Sequence, residues 1–173
     1  MLQAKKLTYT LMASFFLFCF LLAGCGSVDK KAEMGKALLA LEAPITKMSD
    51  TTDKWGEAMD GVMDNKMSNA VANQAFLKVS TQYAESAEAV KKVATPDWLS
   101  DANKKKFDLM KKLYADSATL MADASKNSAD ILAKRKMTPQ EVKQMSDNAL
   151  VFSSSLQKAT VIYQDCADGK LNE

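Results

Sequence analysis

From Lys30 to Asp64 the residues Met34, Leu38, Leu41, Ile45, Met48, Thr52, Trp55, Met59 and Val62 recur at alternating spacings of four and three. An α-helix turns once in about 3.6 residues, so this rhythm lays a single stripe along one helical face. A strand would need apolar residues at every second position, and no stretch of the chain shows that alternation. The same rhythm returns three times. Ala72, Phe76, Val79, Tyr83, Ser86, Val90 and Val93 carry it from about Ser68 to Ala94. Phe107, Met110, Tyr114, Ser117, Met121, Ala124, Ser128 and Ile131 carry it to about Arg135, widened by Leu113, Leu120 and Leu132. Val142, Met145, Ala149, Phe152, Leu156, Ala159, Tyr163 and Cys166 carry it to near Gly169.

Punctuation agrees with these limits. The chain has only three prolines and six glycines among 173 residues, so few positions resist helix. Pro44 falls inside the first stripe, where a proline costs about 3 kcal/mol, and predicts a kink or a short break. The stripe keeps its phase across Pro44, which favours the kink. Thr95-Pro96 predicts a stop and a restart, with Thr95 as cap and proline in the first helical position. Thr138-Pro139-Gln140-Glu141 is a capping box with proline at the start of the last helix. Lys134, Arg135 and Lys136 are expected to close the third helix against the negative end of its dipole. Short connections make neighbours antiparallel. The fold expected is therefore all-α, an up-down-up-down four-helix bundle of long helices. A dimer of long helical hairpins would bury the same stripes, so a homo-oligomer is the alternative architecture.

The first residues follow a different grammar. Lys5 and Lys6 precede an uncharged apolar run from Leu11 to Ala23. That is the layout of a secretory signal, and the run is too short for a bilayer core, which needs about 20 apolar residues. It ends in Leu22-Ala23-Gly24-Cys25, which resembles the lipobox of bacterial lipoproteins at every position. The resemblance implies cleavage by signal peptidase II before Cys25 and attachment of diacylglycerol, with acyl chains such as palmitate, to the Cys25 thiol. Two acyl chains make such an anchor durable, since each buried methylene adds about 0.8 kcal/mol. The expected organisation is a signal peptide over 1–24, a short lipid tether over 25–29 and a helical bundle domain over 30–173. Gly26 stands where an Asp would favour inner-membrane retention in a two-membrane host. The expected location is thus the exported side of the cell membrane or outer membrane.

Composition narrows the chemistry. The 149 residues left after cleavage carry 21 basic and 21 acidic side chains, so the net charge of +2 belongs to the signal. A neutral domain lacks the basic footprint of a nucleic-acid binder. Histidine is absent, which removes the commonest general base and transition-metal ligand. After lipidation only Cys166 remains as a thiol, so no intramolecular disulfide forms within the domain, although an intermolecular one is open to it. Glycine-rich phosphate loops and the CxxC and HExxH motifs are missing.

Several constellations have a bland reading and a sharper one. Asp50, Asp53, Glu57, Asp60 and Asp64 share a face opposite the stripe, which suits a solvated surface better than a docking strip or a calcium site. Lys104, Lys105, Lys106, Lys111 and Lys112 gather near the start of the third helix, with Lys30, Lys31, Lys91 and Lys92 at the same end. They suit ordinary solvated lysines, with anionic headgroups as the sharper reading. Met59, Met63 and Met67 have a spacing that could hold Cu(I), but methionine is first a flexible core filler. Trp55 and Trp98 read as packing residues. Thr52, Ser86, Ser117 and Ser128 mark where a core cavity would open.

These readings give a membrane-anchored, non-enzymatic structural or protein-interaction module of the bacterial envelope. It has no catalytic residues, no metal and no cofactor. Its attachments are the membrane through Cys25 and another envelope protein. The alternative is a small-molecule or metal-binding helical bundle.

Overall fold

A computed structural model describes residues 28–171, so the expected signal peptide over 1–24 and Cys25 lie outside the described residues. Four helices account for most of them: α1 Val28–Met63, α2 Asn69–Lys91, α3 Asp101–Leu132 and α4 Pro139–Ala167. No strand occurs among the described residues. The helix α1 starts at Val28, within the expected tether, and runs through Pro44 without a break.

Each helix is built where its stripe lies. Met34, Leu38, Leu41, Met48 and Met59 are buried on α1, and so is every stripe residue of α2 from Ala72 to Val90. On α1 the buried face is broader than the stripe, since Pro44, Thr51 and Ala58 also leave solvent. They stand seven apart, along one flank.

The third helix departs most from expectation. Beside the row through Phe107, Met110 and Tyr114 it buries a second row of Ala115, Ala118, Ala122, Ser125, Ala129 and Leu132. This row again alternates three and four, but in residues whose apolar signal is weak. Two buried rows give α3 neighbours on two sides. Its contact with α2 is the most extensive in the fold, followed by those of α3 with α4 and α1 with α2, whereas α1 and α4 touch sparsely. Small side chains let α2 come close: the Asn73 side-chain amide donates to the Ala129 carbonyl at 2.7 Å, directly onto the α3 backbone.

Polar pairs fix how the helices line up. Lys47 meets Glu85 at 2.5 Å and Thr52 meets the Tyr83 hydroxyl at 2.9 Å, so numbers rise on α1 as they fall on α2. Tyr114 reaches Thr160 at 3.3 Å, and Asn103 donates to the Leu171 carbonyl at 2.9 Å, giving the same relation between α3 and α4. Two core regions result. The larger holds Leu41, Met48, Tyr83, Phe107, Met110, Tyr114 and Phe152, with Tyr83 and Phe152 edge to face at 5.5 Å. The smaller holds Met59, Phe76, Leu132 and Met145 near the α1–α2 and α3–α4 turns. Trp55 packs against both. Each large apolar side chain so buried contributes about 1.5–3 kcal/mol relative to exposure.

Helix ends follow capping chemistry, with two corrections. Thr138 and Glu141 form the capping box, and Pro139 opens α4. Thr95 does not cap α3, and Pro96 does not begin it. Ser100 is the cap, accepting from the Asn103 amide at 3.3 Å. The Thr95 hydroxyl is committed elsewhere, to the Asp108 carboxylate at 2.5 Å, and residues 92–100 fold across the core end to bury Val93, Pro96 and Leu99. Lys134, Arg135 and Lys136 likewise do not close the last turn of α3, which ends at Leu132. Instead Arg135 reaches forward to Glu141 with two hydrogen bonds of 2.6 and 3.0 Å, and Lys136 donates to Asn65 at 3.2 Å. After α1, Asn65 takes the left-handed conformation (φ 52°) while Lys66 N–H bonds Gly61 C=O at 2.9 Å, closing the last carbonyls.

Candidate functional site

Cys25, the lipid attachment site expected from the sequence, lies outside the described residues. The surface it leads into does not. Residues 92–100, residues 168–171 and the first turns of α1 form one end of the helical assembly. Leu171 is buried there and its carbonyl is taken by Asn103. The Lys30 ammonium sits 5.6 Å from the centre of the Trp98 ring, tying the start of α1 to the α2–α3 connection. The Trp98 indole N–H is buried without a partner.

The lysines of this end divide into two kinds. Lys111 is not an ordinary solvated lysine. Its side chain is only 16% exposed and donates to the Val93 carbonyl at 2.8 Å and to Thr95 at 3.0 Å, with Asp108 at 3.4 Å. It holds the chain that leaves α2. Composition alone could not single it out from its neighbours; its place opposite the end of α2 depends on the fold. Lys105, Lys106 and Lys112 are exposed, and Lys112 pairs with Asp116 along its own helix. A groove of about 300 Å³ runs beside them, lined by Lys91, Asp108, Lys111, Lys112, Ala115 and Asp116. Its lysines are already engaged by Glu88, Asp108 and Asp116.

Asp50, Asp53, Glu57, Asp60 and Asp64 are all exposed on α1, as a solvated face requires. Among the described residues no three His, Cys, Asp or Glu side chains gather closely enough to hold a metal ion. The methionine triplet is split by burial: Met59 is 4% exposed and Met63 40%, while Met67 folds over Gly61. A Cβ at Gly61 would stand 2.6 Å from the Met67 sulfur, so a larger residue there would make the Met67 side chain shift. Met59 and Met67 join Met137 and Met145 in the smaller core, as fillers do.

The small polar positions of the stripes are tied to their own helices. Thr52, Ser86, Ser117 and Ser128 turn their hydroxyls onto carbonyls of their own helices, those of Met48, Gln82, Tyr114 and Ala124, at 2.8–3.0 Å. A water-sized space of about 30 Å³ borders Ser128, Met137, Glu141 and Met145. Cys166 is buried, and burial pushes its thiol up to about 12. It stays protonated at neutral pH and is a poor nucleophile. Burial likewise raises the Tyr114 hydroxyl to about 12, against the lowering effect of its bond to Thr160. Neither group is poised for proton transfer near neutrality.

No helix among the described residues is long and apolar enough to cross a membrane. No family of known proteins matches the chain, and no curated protein or solved structure is significantly similar to it.

Proposed function

We propose that this chain is a bacterial lipoprotein whose described residues form an up-down-up-down four-helix bundle, held at the membrane by lipid on Cys25. The bundle serves as a non-enzymatic structural or protein-interaction module of the cell envelope. The observation that carries this reading is the uncharged run ending in Leu22-Ala23-Gly24-Cys25, followed after only two residues by the start of α1. The pairing of sequence neighbours supports the bundle topology, and the antiparallel registers of α1 with α2 and of α3 with α4 agree with it.

An interaction role fits what the surface offers. At about 1.5 Å per residue, the 36 residues of α1 extend roughly 54 Å, so the bundle carries its α1–α2 and α3–α4 turns well away from its anchor. Exposed apolar side chains lie along it, among them Leu39, Leu150, Val151 and Val161. The buried thiol and phenols are closed away from substrate. The test is photo-crosslinking in cells from exposed positions such as Leu150 on α4 and Asp53 on α1, followed by mass spectrometry. An interaction module yields a discrete envelope protein from one helical face; no product above that of a buried control position overturns the reading.

A further inference from the structure

Resting on that reading of Cys25, we infer that the end of the bundle formed by the start of α1 and residues 92–100 lies directly against the bilayer. There Lys30, Lys31, Lys104, Lys105 and Lys106 meet anionic phospholipid headgroups. The covalent chain sets the distance. Only Gly26 and Ser27 stand between Cys25 and Val28, where α1 begins. At no more than about 3.6 Å per residue, three steps reach roughly 11 Å. Charges are screened over about 8 Å at physiological ionic strength, so this end lies close to one screening length from the surface whichever way the tether runs.

Pairing engages some of the charges at this end and leaves others without an ion-pair partner among the described residues. Several acidic side chains of this end are already engaged: Glu88 by Lys91, Asp108 by Thr95 and Lys111, and Asp165 and Asp168 by Lys170. Lys30, Lys31, Lys104, Lys105 and Lys106 have no carboxylate partner among the described residues. Glu33, Asp97 and Asp101 share the end with them, and the side chains of Asp29 and Glu173 lie outside the described residues. By number alone the two signs come near balance. Reach separates them. A lysine carries its charge on a four-carbon stem, whereas an aspartate holds it one carbon from the backbone, so the ammonium groups enter a headgroup layer first. The contact of Lys30 with Trp98 presents the start of α1 and the α2–α3 connection as one surface.

The test uses the full-length lipidated protein in vesicles of phosphatidylcholine alone and of phosphatidylcholine mixed with phosphatidylglycerol. Amine acylation is followed lysine by lysine by mass spectrometry. Lys30, Lys31, Lys104, Lys105 and Lys106 should react at least about threefold more slowly on the anionic vesicles, with high salt removing the difference. Lys126, Lys134 and Lys143 should react equally on both. Replacing Lys104, Lys105 and Lys106 by Gln should also weaken the protection remaining at Lys30. Equal rates on the two vesicles, with the Cys25 peptide carrying its lipid mass, would overturn the headgroup contact and leave the anchor standing. A Cys25 peptide without lipid would overturn both.

Discussion

Ser125 is fully buried in the second row of α3, and its hydroxyl has no hydrogen-bond partner. The other serines of that helix's core, Ser117 and Ser128, bond back to their own helix. An unmet buried hydroxyl is a cost, and alanine removes it while favouring helix. Ser125→Ala should therefore raise the unfolding free energy by about 1 kcal/mol in urea titration; a loss of similar size would mean the hydroxyl has a partner. Lys111 and Lys112 make the opposite comparison. Lys111→Ala strands the Val93 carbonyl and should cost about 1–3 kcal/mol, whereas Lys112→Ala loses only a surface pair and should stay within about 0.5 kcal/mol. Equal effects of the two substitutions would contradict the role given to Lys111.

At the scale of elements, the α3–α4 turn is governed by Glu141. Its carboxylate takes two hydrogen bonds from Arg135 and one from the Thr138 amide, and these hold it at about 2, below the ordinary 4.5. A carboxyl depressed on folding stabilises fully above its unfolded value and loses that contribution as pH falls through the folded one. The contribution of Glu141 is thus complete above about 4.5 and fades toward 2. Glutamine can keep the cap but not the charge. Glu141→Gln should flatten the loss of stability in that acid window, as urea midpoints measured across it will show; an unchanged slope would sink the assignment. This turn was legible in the sequence because Thr-Pro-Gln-Glu writes its chemistry locally. The four stripes were legible for the same reason, since periodicity alone decides which face is apolar. The start of α3 was not: Thr95 has a good capping side chain, but Asp108 and Lys111, a helix away, claim it first. The alanine row of α3 escaped because alanine and serine mark a close helix contact only when the neighbouring helix is known. The expected role of Lys134, Arg135 and Lys136 failed because α3 ends at Leu132, before them, and Arg135 and Lys136 engage Glu141 and Asn65 instead.

For the whole molecule as proposed, an export segment precedes a neutral helical domain, and Cys25 is the joint between them. The domain's own side chains account for its folding: two core regions bridged by Trp55, capped helix ends and a connection pinned by Lys111. The proposed lipid on Cys25 would add position relative to a membrane, with only two residues between it and α1. The most direct measurement is made in cells fed labelled fatty acid, comparing the natural chain with Cys25→Ser. The natural chain should take up label and lose residues 1–24, while the variant stays at precursor mass without label. A Cys25→Ser chain that is labelled and trimmed like the natural one would contradict the lipid anchor on which the account depends.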